Sequence, residues 1–205
     1  MKTHKPTATS TDAVHAGTET KRPHHTLAPS IAQTATFTFT DSNNGTFAYV
    51  VSGISQSKPI TKQVYSIVPS CVAGAQHTAA PNYQALWWAS PAGSESGWGV
   101  NVAHQGDILF ATWFTYAANG RGQWLVMPSG TRTAAGTYTG ALYRTTGPAF
   151  NLTPWVGTVN ATQVGSATFT FSGADAGTFA YTVEGVSQSK AIARQIYATP
   201  NTVCR

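Results

Sequence analysis

Residues 85–127 read ALWWASPAGSESGWGVNVAHQGDILFATWFTYAANGRGQWLVM, and this stretch holds five of the chain's six tryptophans: Trp87, Trp88, Trp98, Trp113 and Trp124. It has no helical periodicity, and two turn signals divide it into strands. Gln105-Gly106 reads as a two-residue turn that sets His104 opposite Asp107, Val102 opposite Leu109 and Trp98 opposite Trp113. Asn119-Gly120 is a type I′ signal, because both central residues of that turn need positive φ. It sets Trp113 opposite Val126 and Thr115 opposite Trp124. With these registers one face carries Trp98, Val100, Val102, Leu109, Trp113, Trp124 and Val126. The other carries Ile108, Phe110, Phe114, Tyr116, Leu125 and Met127, with Gly97 and Gly99 leaving room for rings. A half-solvated antiparallel strand alternates apolar and polar residues, whereas these strands are apolar on both faces. One face is expected to build a closed interior and the other to meet a further element.

The flanking sequence repeats. Residues 35–66 align with residues 167–198 at a constant offset of 132, without a gap, and 19 of the 32 positions are identical. Phe37/Phe169, Gly45/Gly177, Tyr49/Tyr181 and Gln63/Gln195 correspond, as do Ser55–Lys58 and Ser187–Lys190. Each copy reads as a three-strand meander with one apolar face, and in the first copy Pro59 marks an edge or a bulge. The third strand of the first copy is expected over 54–65.

Eight strands are expected in the second part of the chain, near 84–89, 97–104, 107–116, 122–129, 136–144, 164–172, 177–184 and 187–198. The fold class is therefore all-β: an antiparallel up-and-down barrel or a sandwich, with an extra meander from the partial N-terminal copy. Residues 1–30 read as a disordered tail, 31–66 as the partial repeat, 67–81 as a linker and 82–205 as the complete repeat. The partial copy cannot bury its apolar face alone. It is expected to pack within its own chain, with strand exchange between chains as the alternative and self-association as its result.

Charged residues make up 9% of the chain against 41% hydrophobic ones, and the net charge of +5 is thinly spread. Nucleic-acid binding, which needs a basic stripe, is excluded on this ground. No run of apolar residues is long enough for a membrane span. The Thr- and Ser-rich, charge-poor composition points to an extracellular, periplasmic or cell-envelope setting, although residues 1–30 contain no apolar stretch of the kind a signal peptide uses. Cys71 and Cys204 each follow a repeat copy. They are candidates for a disulfide, with two free thiols as the alternative, and their spacing fits no metal-binding pattern. No metal or other cofactor is expected.

Glu95, His104 and Asp107 are the candidate polar site residues. The sequence around Glu95, GSESG, places the acid where a nucleophile elbow needs serine, and no second carboxylate is near enough in sequence for glycosidase chemistry. A hydrolase using the three residues is thus a weak alternative. Trp87, Trp88, Trp98, Trp113, Trp124 and Tyr116 are the candidate ligand-binding residues, because aromatic rings on a rigid sheet can stack on sugar rings or line an apolar cavity.

Trp87-Trp88, Glu95–Gly99, His104–Asp107 and Ala111–Tyr116, together with Gly165–Phe169, Gly177–Phe179 and Lys190–Gln195, resemble a β-rich repeat of secreted and cell-envelope proteins of proteobacteria. The resemblance covers 82–198 fully and 35–66 in part. It implies an envelope or extracellular setting and, since no activity is attached to that repeat, no catalytic residue. The leading expectation is a non-catalytic β-module that binds a glycan or an apolar small molecule through its aromatic face. The second is a structural or assembly protein that uses its repeat for strand exchange.

Overall fold

The computed structural model describes residues 34–74, 82–197 and 202–205. The tail assigned to residues 1–30 and the end of the linker lie outside the described residues. Thirteen strands follow in order: β1 (Thr34–Phe39), β2 (Asn44–Val51), β3 (Ile54–Thr61), β4 (Cys71–Ala73), β5 (Ala85–Ala89), β6 (Gly99–Gln105), β7 (Ile108–Tyr116), β8 (Gly122–Ala134), β9 (Thr137–Thr146), β10 (Asn160–Phe171), β11 (Ala176–Val183), β12 (Val186–Arg194) and β13 (Thr202–Cys204). No helix occurs among the described residues. Met1–Thr61 and Lys62–Arg205 are separate units.

The second unit contains a closed antiparallel barrel in the order β10-β11-β12-β5-β6-β7-β8-β9. Every neighbour is also the next strand in sequence except β12 and β5, which close the ring, so the barrel is up-and-down. Closure removes the sheet edges that would otherwise be open to pairing. The interior is filled by side chains: Trp87, Leu109, Leu125, Met127, Leu142, Phe169, Phe179 and Ile192 are fully buried. Phe179 is the hub, with its ring 4.6 Å from that of Phe169, 5.3 Å from Trp113 and 6.0 Å from Trp98. Burial of each such side chain contributes about 1.5–3 kcal/mol.

Two hairpins depart from the expected registers. The β6–β7 turn is Gly106-Asp107, flanked by the pair Gln105–Ile108, so His104 faces Leu109 rather than Asp107. Gly106 supplies the positive φ of the first turn position. Because this slip is two residues, the same side chains still point inward. The β7–β8 hairpin slips by one. Its loop has three residues, Ala118–Gly120: Ala117 N–H donates to Arg121 O and Gly120 N–H to Ala117 O. Gly120 has φ +77° while Asn119 stays at negative φ. This is a type I turn closed by a left-handed glycine, not type I′. A one-residue slip exchanges faces. Trp124 now pairs with Phe114 on the outside, and Leu125 pairs with Trp113 on the inside.

The first unit is the three-strand sheet β1-β2-β3. Its third strand ends at Thr61 and does not extend to Tyr65. Pro59 lies on β3, an edge strand of this sheet, as its missing N–H requires. The residues that follow belong to the barrel unit. Gln63 O accepts from Gln105 Nε2 at 2.9 Å, and the N–H groups of Tyr65 and Ser66 donate to Gln105 Oε1 at 3.0 and 3.1 Å. β4 then pairs with β13, and Cys71 is disulfide-bonded to Cys204.

Candidate functional site

The expected aromatic site divides into three. Trp87, Trp98 and Trp113 are core residues. Trp87 Nε1 donates to Tyr83 O at 3.0 Å. Their burial by Phe171, Phe179 and the opposite wall follows from barrel closure, so their bulk is used for packing.

Trp88 and Trp124 point outward with Phe114. Gly99 pairs with Phe114 and Phe114 with Trp124, while Trp88 lies one residue beyond the Trp87–Val100 pair. Trp88, Gly99, Phe114 and Trp124 therefore form one transverse row across β5–β8. Phe114 and Trp124 are about half exposed, at 47% and 54%. A shallow, mainly apolar groove of about 270 Å³ runs along Trp88, Gly99 and Phe114.

The third group surrounds a cavity of about 500 Å³ at one mouth of the barrel. Trp98, Trp113 and Tyr181 line its inner wall, and Glu95, Tyr116, Arg144, Glu184, Gln188 and Lys190 line its rim. The geometry is fixed locally. The segment between β5 and β6 turns at Gly97, where a Cβ would meet the Tyr116 hydroxyl at 1.8 Å. That absence of a side chain lets the Tyr116 ring lie over the loop and donate to Ser96 O at 3.3 Å. Glu95, on the same loop, accepts from Lys190 Nζ at 2.6 Å, and the ammonium lies 5.8 Å from the Trp98 ring. On the other side Arg144 Nη1 donates to Glu184 Oε1 at 2.8 Å. This bond holds the Glu184 carboxyl below its usual range. Tyr181 Oη donates to Gln188 Oε1 at 2.5 Å, and burial raises the phenol, so it remains a protonated donor. The four rim charges cancel. The mouth thus offers aromatic surface beside amide, carboxylate, ammonium and guanidinium groups.

His104 and Asp107 lie at the opposite end. β6 runs from the loop that carries Glu95 to His104, a separation of roughly 20 Å at ~3.3 Å per residue. No single bond can be reached by Glu95 and His104 together. His104 is almost fully buried. Its Nδ1 accepts the Tyr83 N–H at 3.0 Å, which leaves the proton on Nε2, 3.3 Å from Tyr138 Oη. Burial lowers its pKa, so the ring is neutral and both nitrogens are engaged in structure. Asp107 pairs with Arg132 at 3.1 Å, exposed to solvent. A second cavity, of about 240 Å³, is bounded here by Tyr83, His104, Arg132 and Tyr138.

Tyr181, Glu184, Gln188 and Lys190 were missing from the expected site because only barrel closure brings β11, β12 and their turn to the loop at Glu95, and Arg144, on β9, joins it through Glu184. The repeated Ser187–Lys190 motif was the signal that marked Gln188 and Lys190. Among the described residues no group of three or more His, Cys, Asp or Glu side chains could hold a metal ion. No protein-family model, curated protein or solved structure matches the chain.

Proposed function

We propose that the barrel is a non-catalytic module that binds a neutral saccharide at the mouth lined by Trp98, Tyr116, Tyr181, Gln188, Glu95 and Lys190. The observation that carries this reading is the roughly 500 Å³ cavity, in which aromatic walls adjoin two mutually neutralising ion pairs. That volume lies within the range of small-molecule sites. Hydroxyl groups can bridge a carboxylate to an ammonium, whereas a net-charged ligand would have to break one of the pairs. The filled interior argues against an apolar ligand inside the barrel, because Phe169, Phe179 and Leu125 occupy that space. The disulfide supports a place in an oxidising compartment, outside the cytoplasm.

Isothermal titration against a panel of neutral oligosaccharides tests the reading. Binding in the micromolar to millimolar range is expected, roughly −8 to −4 kcal/mol. Tyr116→Ala and Gln188→Ala should each weaken it while leaving the thermal midpoint nearly unchanged. Absence of binding to every oligosaccharide at millimolar concentration would reject it.

A further inference from the structure

The barrel is closed by one meander, and the chain contains another with the same core face. In β1–β3, Ala35 pairs with Tyr49, Phe37 with Phe47 and Phe39 with Gly45; in β10–β12, Ala167 pairs with Tyr181, Phe169 with Phe179 and Phe171 with Gly177. The next hairpin matches as well: Phe47–Lys58, Tyr49–Gln56 and Val51–Ile54 correspond to Phe179–Lys190, Tyr181–Gln188 and Val183–Val186. Both hairpins turn on a non-glycine residue at positive φ, Ser52 in one and Glu184 in the other. Tyr49 Oη donates to Gln56 Oε1 as Tyr181 does to Gln188. Phe37 and Phe47 stack at 4.5 Å, and their counterparts Phe169 and Phe179 at 4.6 Å. The surroundings differ. Phe37 and Phe39 are 57% and 69% exposed, where Phe169 and Phe171 are 0% and 7% exposed.

Some of the groups by which β10–β12 hold the five-strand sheet β5–β9 have counterparts in the first copy. Lys190, which pairs with Glu95, corresponds to Lys58. Thr168, whose hydroxyl meets that of Thr139 at 2.9 Å, corresponds to Thr36. Gln195, whose backbone N–H donates to Leu86 O, corresponds to Gln63. Arg194 lies 4.9 Å from the Trp87 ring and has Lys62 as its counterpart. The connection is compatible too. β12 ends beside the start of β5, so β3 in the same place would run antiparallel to β5, with residues 62–84 as a long connection between them. Gln63, Tyr65 and Ser66 already bind Gln105, at the barrel end where β5 begins.

We propose that residues 34–61 are a second closing meander, able to displace β10–β12 and complete the barrel on β5–β9 of the same chain. The chain then has two closures, one using β5–β12 and one using β1–β3 with β5–β9. Some contacts distinguish them. Asp175, the partner of Arg194, is replaced by Asn43; Glu184, the partner of Arg144, by Ser52; and Ala191 by Pro59. These losses make the C-terminal meander the preferred one and the N-terminal meander its reserve.

Three variants of the full chain test this: Phe47→Asp, Phe179→Asp and the double variant. A carboxylate at Phe179 makes β11 unable to occupy the core. The expected result is that each single variant remains folded, with cooperative urea unfolding and blue-shifted tryptophan emission, while the double variant is unfolded. Light scattering of Phe179→Asp should give the monomer mass. A Phe179→Asp chain as unfolded as the double variant would overturn the proposal, as would a folded double variant. A Phe179→Asp chain that folds only as an oligomer would overturn closure within one chain.

Discussion

Lys190 Nζ lies 2.6 Å from Glu95 Oε1 and 5.8 Å from the centre of the Trp98 ring, so one ammonium joins β12 to the loop between β5 and β6. Both side chains are partly open to solvent, and their electrostatic attraction is therefore screened. Glu95→Gln should lower stability by no more than about 1 kcal/mol. The same substitution alters the rim of the mouth and frees Lys190, so saccharide affinity should fall roughly tenfold, equivalent to about 1.4 kcal/mol. Urea unfolding and titration calorimetry on one preparation separate the two effects. Equal losses in both would make the pair structural rather than part of the site.

The one-residue slip of the β7–β8 hairpin separates two neighbouring side chains. Leu125 is fully buried and Trp124 is half exposed. Leu125→Ala should destabilise by about 2–5 kcal/mol through transfer and cavity terms. Trp124→Ser, on the solvent face, should change stability by about 0.5 kcal/mol or less. The reverse order in chemical denaturation would restore the two-residue turn at Asn119-Gly120.

Burial holds His104 below the ordinary histidine value, while in the unfolded chain it titrates near 6.5. Between the two values the unfolded chain binds a proton that the folded chain does not. Stability therefore falls as pH is lowered through 6.5 and stops falling, for this residue, below the folded pKa. His104→Gln can still accept the Tyr83 N–H but cannot titrate. The stability difference between wild type and His104→Gln should shift against wild type from pH 7 to pH 5, by at most about 1.4 kcal/mol per pH unit. A difference independent of pH would mean that the ring titrates alike in the folded and the unfolded chain.

Arg194 has a largely buried side chain. It pairs with Asp175 at 3.1 Å and donates to the carbonyls of Ala174 and Gln84, each at 2.8 Å. It connects β12 to the residues just before β5, at the junction that closes the barrel. Arg194→Met keeps the apolar stem but leaves those carbonyls unpaired, and should cost about 2–4 kcal/mol. Restoration of most of that loss by Arg194→Lys would show that charge, rather than the planar fork, makes the closure.

The strand pattern was legible because alternation and turn residues are local. All eight barrel strands fall close to their expected positions, and of the barrel and the sandwich that their spacing allowed, the chain forms the closed up-and-down barrel. The registers were less accessible. Asn119-Gly120 satisfies both a two-residue and a three-residue loop, and the choice moves Trp124 from one face to the other. The mouth was hardest to read, because Glu95 and Lys190 are far apart in sequence and meet only through the β12–β5 pairing. Tryptophan content alone did not separate core from surface: Trp87, Trp98 and Trp113 are buried, while Trp98 and Trp113 also line the mouth.

The bond between Cys71 and Cys204, 133 positions apart, makes a covalent ring of the chain between them. Strands β5–β12 lie on that ring, whereas β1–β3 lie outside it. A segment of a ring can leave only as a loop held at both ends, whereas a segment outside it can be handed over as a linear piece. In the oxidised chain the two meanders are therefore unequal as exchangeable parts: β1–β3 can be donated, and β10–β12 stays tethered at both ends even when displaced. Reduction removes that topological difference and leaves their sequences alone to decide between them.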